Sequence, residues 1–292
     1  MTQKVQIFAV MALTSVAAVW GASFVLMKDA LQGQSVDDFL ATRFVIATAI
    51  LIVLNPRSLK LITREMLSKG ALLGLFLGSG YLFQTIGLHL TTAATTGFIT
   101  GLYVVFTPIL GALFLKSVVT KNEWIGVVMA TVGLALLSFK GFSIGIGELA
   151  VLLSALFFAF HILGLGKWSE RFATYPLTIV QLGTIALLTS VLSLVDKGYE
   201  FPNNGQEWKA TIFTAILATS VAFLIQTWSQ SKMDATIVAV VLTLEVVFAA
   251  LFAVMAGQES LTLRAIIGGG LIFAAMLLMQ LRTSAQNREQ VN

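Results

Sequence analysis

Ten apolar segments follow one another along the chain, each with at most one charged residue. They lie at residues 5–27, 39–54, 70–90, 93–115, 124–139, 149–166, 175–195, 210–231, 235–258 and 265–281. A helix rises about 1.5 Å per residue, so roughly 20 residues cross a hydrocarbon core of about 30 Å. The alternation expected of a barrel strand is absent. The pattern therefore predicts an all-α polytopic membrane protein with ten transmembrane helices.

The composition supports a membrane protein and narrows its chemistry. Of the 292 residues, 57% are hydrophobic and 11% are charged, values that a soluble domain with a polar surface would not reach. The connections run from two residues, 91–92, to fifteen, 55–69, which leaves no room for a folded extramembrane domain. The chain has no cysteine and two histidines. We therefore expect no metal site and no cofactor.

Basic residues predict the orientation, because cytoplasmic loops carry an excess of Lys and Arg. With the N-terminus inside, twelve basic residues lie on the cytoplasmic side and five on the outer side. The cytoplasmic set is Lys4, Arg57, Lys60, Arg64, Lys69, Lys116, Lys121, Lys167, Arg171, Lys232, Arg282 and Arg288. We expect a multi-pass protein of the bacterial inner membrane with both termini cytoplasmic. The spread of these charges gives no support to nucleic-acid binding.

The second half of the chain repeats the first. An offset of 142 residues aligns the third to fifth segments with the eighth to tenth without a gap, and sets Gln84 against Gln226. Each copy, 1–141 and 142–292, has five segments, and an odd number makes the second copy enter the membrane from the opposite side. Two inverted five-helix repeats are typical of secondary transporters, whose site lies near the midplane, although some channels share the symmetry.

One stretch from each half carries a family resemblance. They are LTLEVVFAALFAVMAGQESLTLRAIIGGGLIFAAMLL (242–278) and TTGFITGLYVVFTPILGALFLKSVVTKNEWIGVVMATVGLALLS (95–138). Both are similar to the paired halves of the EamA-type drug/metabolite transporters. The resemblance implies ten helices in two inverted repeats around a central cavity, and export of small metabolites, often amino acids. The sequence departs from the family at Val246, where a proline is usual, and at Pro108, one helical turn beyond the expected Val104.

A single carboxylate, Glu245, lies inside the ninth segment. A charge at bilayer depth costs about 2.5 to 3.5 kcal/mol on insertion scales, so such a residue faces a cavity or a partner. One hypothesis is that Glu245 binds substrate or exchanges a proton as access alternates. The other is that Glu245 locks helices together as a protonated or paired group.

Hydroxyl and amide side chains mark a second group of candidates. Tyr103 corresponds to Glu245 at the repeat offset and shares a helical face with Thr96, Thr100 and Thr107. This polar stripe either lines a cavity or forms hydrogen bonds between helices. The paired amides Gln84 and Gln226 suit a zwitterionic or polar ligand, but they would equally bond to each other.

Four further side chains have two interpretations each. His161 either shares a proton pathway with Glu245 or is a hydrogen-bonded structural histidine. Trp20 and Tyr81 either line the site or fill the bundle. Arg43 either binds a carboxylate or snorkels toward the outer interface, where Asp37 and Asp38 lie nearby. The candidate substrate-binding residues are Trp20, Tyr81, Gln84, Thr100, Tyr103, His161, Gln226 and Glu245, with Glu245 and His161 as coupling candidates.

These observations favour a secondary transporter that is not an enzyme. We expect it to export small metabolites, with amino acids as the leading class, by alternating access, with proton coupling as one hypothesis. A multidrug or cation efflux antiporter is the nearest alternative. A channel is another, as is an intramembrane serine hydrolase, because Gly141-Phe-Ser143-Ile-Gly145 matches a nucleophile elbow without the strand that the elbow needs. The expected partners are a small-molecule substrate, the lipid bilayer and protons.

Small residues bear on the oligomeric state. Gly74-x-x-x-Gly78 and Gly97-x-x-x-Gly101 allow close approach of helices. The glycines either pack within one chain or form a dimer contact, so a monomer and a homodimer both remain open.

Overall fold

The computed structural model describes residues 3–31, 33–91, 93–138, 145–196, 199–255 and 262–289, and every regular element in these ranges is helical. The α-helices are α1 (Gln3–Ala30), α2 (Val36–Leu54), α3 (Arg64–Leu90), α4 (Ala93–Gly101), α5 (Tyr103–Leu115), α6 (Lys121–Ser138), α7 (Ile146–Trp168), α8 (Thr174–Asp196), α9 (Gly205–Ala215), α10 (Ala222–Gln230), α11 (Ala235–Leu242), α12 (Leu244–Met255) and α13 (Leu263–Glu289). A 3₁₀ helix at Pro56–Leu61 and a π-helical segment at Ile216–Val221 accompany them. The predicted all-helical fold is confirmed.

Seven helical stretches are long and apolar enough to cross a membrane. They are Lys4–Phe24, Arg64–Leu90, Thr95–Leu115, Ile146–Trp168, Thr174–Val195, Gly205–Gln230 and Ala235–Phe252. The helix α2 does not join them, since Asp37, Asp38 and Arg43 interrupt its apolar run. The protein is therefore a multi-pass membrane protein, and the predicted count of ten spans exceeds the seven that length and hydropathy identify in the described ranges.

Some sequence predictions fall outside the described residues. They are the segment ends at Phe139 and Gln258, the repeat boundary at 141–142 and the motif residues Gly141 and Ser143. The last residue of that motif, Gly145, is described, and it is the N-cap of α7. Its N–H donates to the Glu148 carboxylate over 3.0 Å, an interaction of a helix start.

Side chains cap several other helix starts. The Ser35 hydroxyl accepts the Asp38 N–H at the start of α2, and the Thr63 hydroxyl accepts the Met66 N–H at the start of α3. The Asn204 side chain accepts two N–H groups at the start of α9. These bonds satisfy donors that the first turn of a helix leaves unpaired, which explains where the elements begin.

Two apolar helices are interrupted at matching places. Leu102 separates α4 from α5, and Thr243 separates α11 from α12. Each interruption is one tight turn, with Val105 N–H donating to the Leu102 carbonyl over 2.9 Å and Val246 N–H donating to the Thr243 carbonyl over 3.1 Å. Pro108 lies inside α5 rather than at the interruption. The second turn thus forms without the proline that is usual at Val246.

A π-helical segment interrupts a third helix. Residues Ile216–Val221, between α9 and α10, form a π-helix, in which each backbone hydrogen bond spans five residues instead of four. The Ser220 hydroxyl donates to the Ala215 carbonyl over 2.9 Å and to the Ala47 carbonyl of α2 over 3.2 Å. The Ala218 carbonyl accepts hydrogen bonds from the side chains of Trp20 and Arg43. The segment therefore supplies a backbone acceptor to the middle of the bundle.

The helices pack around two large apolar clusters. In the first, Leu13 of α1, Val104 of α5 and Leu134 of α6 are fully buried. In the second, Phe39 of α2 and Leu182 of α8 are fully buried. The principal contacts pair α3 with α7 and α8, α1 with α9, α10 and α12, α5 with α7, α2 with α8, and α6 with α13.

Both glycine stripes pack within the chain. Gly74 and Gly78 face α8, whereas Gly97 faces Val246 of α12 and Gly101 faces Leu134 of α6. A Cβ at Gly74 would lie 2.6 Å from the Gln181 carbonyl oxygen and 2.7 Å from the Thr184 Cβ. The contact between α3 and α8 therefore requires a residue without a side chain at this position.

We expect Gly74→Ala to destabilise the protein by about 1 to 3 kcal/mol, because the added methyl group forces the two backbones apart. The measurement is the thermal unfolding midpoint of the full chain in detergent. Gly270→Ala is the matched control, since a Cβ there meets nothing within 4 Å. Equal midpoints for the two variants would contradict the close packing of α3 on α8.

Candidate functional site

A cavity in the middle of the bundle collects all eight substrate-binding candidates from the sequence. It has a volume of about 50 Å³. The lining includes Trp20, Tyr81, Gln84, Thr100, Tyr103, His161, Gln226 and Glu245, together with Ser23, Phe24, Met27, Arg43, Leu77, Phe158, Ile162, Phe223 and Leu242. These residues come from helices in both halves of the chain, so the cavity is formed only by the folded bundle.

Glu245 lies at the start of α12, directly after the turn at Thr243. Its side chain is 5% exposed, and the Tyr103 hydroxyl donates to Oε1 over 3.4 Å. That separation is long for a hydrogen bond between oxygens, so the contact is weak. The positive end of the α12 dipole lies at the same place. Glu245 is thus buried beside the cavity with a single weak hydrogen bond from the part of the chain that the structure describes.

The two paired glutamines do not bond to each other. Gln84 Nε2 donates to the Thr100 hydroxyl over 3.2 Å, and Gln226 Nε2 donates to Gln230 Oε1 over 3.1 Å. Gln226 Oε1 is buried and accepts no hydrogen bond from the described residues. A buried amide oxygen without a donor is costly, which makes this atom a candidate acceptor for a ligand.

His161 has a structural partner that the sequence did not predict. Its Nε2 lies 2.8 Å from Oε1 of Gln181, and Gln181 Nε2 in turn donates to the Leu177 carbonyl over 3.3 Å. The second bond fixes the amide so that its oxygen faces the histidine, which makes Nε2 the protonated nitrogen. The arrangement matches the interpretation of His161 as a hydrogen-bonded structural histidine, although His161 also lines the cavity.

Aromatic rings form one wall of the cavity. The Trp20 indole donates from Nε1 to the Ala218 carbonyl over 2.8 Å. Ala218 belongs to the π-helical segment. The ring centroids of Trp20 and Phe223 are 5.5 Å apart, and those of Tyr81 and Phe158 are 5.4 Å apart. Such contacts hold the rings in fixed positions and give the cavity an apolar side.

The prediction that Arg43 snorkels toward the outer interface is wrong. Its side chain is 1% exposed and lines the cavity. Nε donates to the Thr219 hydroxyl over 2.7 Å, and Cζ lies 4.8 Å from the centre of the Tyr81 ring. Asp38, the expected neighbour, instead accepts a hydrogen bond from Ser193. The guanidinium turns inward because the aromatic faces of Phe44 and Tyr81, the Thr219 hydroxyl and the Ala218 carbonyl replace water there.

The sequence could have identified Arg43 as a site residue, since it is the one charge inside the second apolar segment. Other polar residues near the cavity gave a weaker signal. Gln181, Thr219 and Gln230 contribute hydrogen bonds, but no identical residue at the repeat offset in the other half marks them in the sequence.

A second and larger cavity, which we call the vestibule, opens at one end of the bundle. Its volume is about 540 Å³, and the ends of α1, α5, α7 and α10 and the start of α11 surround it. Charged side chains line its wall, namely Glu123, Lys167, Glu170, Lys232 and Asp234. This is the end that the distribution of basic residues assigns to the cytoplasm.

One amide separates the vestibule from the central cavity. Gln230 lines the vestibule, and its Nε2 donates to the Ile162 carbonyl of α7 over 2.8 Å. Its Oε1 accepts from Gln226, which lines the central cavity. The two cavities therefore meet at Gln230. Because Gln226 and Gln230 both lie on α10, the bond that breaks if α7 and α10 part is the one from Gln230 to the Ile162 carbonyl.

Comparison with known sequences decides the family. A sequence model of the EamA-like transporter family matches residues 7–139 and again residues 145–281. The chain belongs to the EamA-like transporter family. This confirms the resemblance found in the sequence and points to a membrane transporter with a small-molecule substrate rather than to an enzyme.

Relatives of this EamA-like transporter carry transporter names. An uncharacterized transporter of Archaeoglobus fulgidus is 34% identical over 278 residues, covering 95% of this chain and 87% of the relative. The uncharacterized transporter YcxC of Bacillus subtilis is 25% identical over 231 residues, covering 74% of each chain. A solved crystal structure with 18% identity superposes with a TM-score of 0.79, over 94% of this chain and 96% of the other, which shows likeness of fold alone.

The vestibule wall contains a carboxylate whose ionisation is linked to folding. Partial desolvation at the wall, followed by repulsion from Glu123 and Glu170, raises the pKa of Asp234 above its ordinary value of 3.8. Because the folded protein disfavours the charged form, the stability linked to Asp234 is present below pH 3.8 and is lost as the pH rises through the folded pKa. The side chain faces water in the vestibule, so salt screens the repulsion.

We therefore expect Asp234→Asn to raise the thermal unfolding midpoint in detergent at about pH 7.5, and the gain to vanish near pH 3.8. The Asp234 side chain makes no cap hydrogen bond at the start of α11, and asparagine has nearly the same size, so the change isolates the charge. High salt is the control, because it should reduce the gain at neutral pH. A variant less stable than wild type at neutral pH would contradict the assignment.

Proposed function

We propose that this EamA-like transporter exports small metabolites, with amino acids as the leading class, by alternating access across the bacterial inner membrane. The observation that carries the proposal is the central cavity, where a carboxylate, a guanidinium, two amides and several aromatic rings meet among buried helices. A small-molecule site typically has an apolar wall with a small number of precisely placed polar groups. A zwitterion with an apolar side chain matches this chemistry.

The proposed architecture is ten spans in two inverted repeats, 1–141 and 142–292, with both termini cytoplasmic. Exchanging the helices of one half for those of the other reproduces the principal pairs of contacting helices. The contact of α3 with α7 corresponds to that of α9 and α10 with α1, and the contact of α5 with α7 corresponds to that of α12 with α1. The pairs α2 with α8 and α6 with α13 correspond to themselves. The two family matches support the same division.

Alternating access is supported by the sizes of the two cavities. The vestibule of about 540 Å³ falls within the range of ligand pockets, roughly 300 to 1,000 Å³, whereas the central cavity of about 50 Å³ is far below it. Substrate would therefore enter from the vestibule only when α7 and α10 part and the bond from Gln230 to the Ile162 carbonyl breaks. In this mechanism the helices part to admit the substrate and close behind it.

Proton coupling is proposed through Glu245. The carboxylate would hold the ammonium group of the substrate, and a proton would replace that group when the cavity faces outward. Its single weak bond to Tyr103 leaves the carboxylate free to exchange partners. The same feature favours a second candidate, a cation efflux antiporter, in which a cationic apolar drug competes with the proton. The buried guanidinium of Arg43 argues against that alternative, because it repels a cation.

We expect Glu245→Gln to abolish gradient-driven accumulation, because an amide cannot exchange a proton. Wild type in proteoliposomes with an acidic lumen and the membrane potential clamped should accumulate a labelled amino acid up to about tenfold per pH unit. The variant should equilibrate the substrate without accumulating it. Glu65→Gln, at an exposed position in the first turn of α3, is the matched control and should behave like wild type. Accumulation retained in Glu245→Gln would exclude coupling through this residue.

Alternating access makes a further prediction at the end of the bundle opposite the vestibule. A Cβ at Gly147, at the start of α7, would lie 3.5 Å from the Cβ of Thr91, which follows α3. That separation suits a disulfide, and the chain has no other cysteine. We expect oxidation of the Thr91→Cys, Gly147→Cys variant to stop transport by holding this end closed, and a reductant to restore it.

The reduced double variant tests its own folding, because it should transport before oxidation. Thr91→Cys alone is the control for oxidation and should be insensitive to it. Full transport by the cross-linked protein would contradict an opening between α3 and α7 at this end.

A further inference from the structure

Arg43 is a buried charged residue on the lining of the central cavity, and the proposed transport mechanism does not yet give it a role in binding the substrate. Its guanidinium is permanently charged and carries five N–H donors in a planar fork. Nε is used by the Thr219 hydroxyl at 2.7 Å. The terminal nitrogens contact the Met27 sulfur and the Ala218 carbonyl, each at 3.4 Å, and Tyr81 is a further side-chain hydrogen-bond partner. The fork is therefore held in place by neutral groups, and no carboxylate meets it in the described ranges.

The protein provides this cation with aromatic faces rather than with a carboxylate. Cζ lies 4.8 Å from the Tyr81 ring centre and 5.3 Å from that of Phe44. No ion pair or hydrogen bond joins Arg43 to a carboxylate in the described ranges. Burying a charge in this way is costly, and the cost falls when an anion with two oxygens meets the fork. The outer edge of the guanidinium thus suits a carboxylate group of a ligand.

Acceptors lie elsewhere on the same cavity. Glu245 contributes a carboxylate, and Gln226 contributes the buried amide oxygen that has no donor. The Arg43 guanidinium lies 4.8 Å from the Tyr81 ring centre on the same lining. The cavity therefore offers a permanent cation and a carboxyl group, which complement the two charged groups of a zwitterion.

We propose that Arg43 binds the carboxylate of the transported amino acid, while Glu245 and Gln226 take its ammonium group. The proposal rests on the transport function above and names the group that the substrate must carry. The apolar side chain of the substrate lies against Trp20 and Phe223. An amino-acid amide or a decarboxylated amine lacks the partner of Arg43 and leaves the guanidinium unpaired, so the protein discriminates against both.

The test compares four ligands that share a benzyl group in proteoliposomes, namely phenylalanine, phenylalaninamide, phenethylamine and 3-phenylpropionate. Each competes with labelled phenylalanine for transport by the full-length protein. Wild type should bind phenylalanine at least about tenfold more tightly than the other three, since each of them lacks one of the two charges. Arg43→Gln should lose the preference for phenylalanine over phenylalaninamide, and Arg43→Lys should keep part of it, because lysine preserves the charge without the fork.

The preference ratio is the decisive readout, since it does not depend on how much variant protein is active. Arg64→Gln, at the exposed start of α3, is the matched control and should keep the wild-type ratio. Wild type that accepts phenylalaninamide as readily as phenylalanine, or Arg43→Gln that keeps the wild-type ratio, would overturn the role of Arg43 while leaving transport intact. Equal competition by 3-phenylpropionate would overturn the zwitterion and indicate a site for monoanions. Absence of transport for every labelled amino acid would instead refute the proposed function.

Discussion

Polar groups inside an apolar helix bundle must find partners within the protein, because lipid offers none. The fold of this transporter meets that requirement by interrupting its own helices. The Ala218 carbonyl of the π-helical segment accepts hydrogen bonds from both Trp20 and Arg43. The turn at Thr243 begins a new helix beside Glu245, so the positive end of a helix dipole lies near the carboxylate. The two interruptions thus place backbone polar groups beside the buried charged side chains, the Ala218 carbonyl beside Arg43 and the start of α12 beside Glu245.

The same constraint explains why the two halves share positions but not chemistry. Tyr103 and Glu245 correspond at the repeat offset, and in the folded protein they meet as donor and acceptor. Gln84 and Gln226 also correspond, yet the first bonds to a threonine in its own half and the second bonds to Gln230. The folded bundle brings these matched positions to one cavity, where the side chains from the two halves differ.

The central cavity and the vestibule differ in size and in lining. The vestibule has charged side chains at its wall, whereas the central cavity is small and bounded by rings. Gln230 lies between them, and its side chain bonds to the Ile162 carbonyl through Nε2 and to Gln226 through Oε1. Hydrogen bonds of this kind contribute about 1 kcal/mol each, so the separation is stable at rest and opens at modest cost. Ligand contacts in the central cavity offset that cost.

The sequence by itself determined the helical membrane fold, the family and the eight candidate residues that share one cavity. The length of the apolar segments, the helical spacing of polar residues and the internal repeat are local or regular properties. They can be recognised in the sequence without knowing any tertiary contact. Only the tertiary structure decided the partners of these residues. The direction of Arg43 and the bond between His161 and Gln181 depend on helices far away in sequence. The turn at Thr243 forms without a proline, because neighbouring helices rather than local propensity hold it.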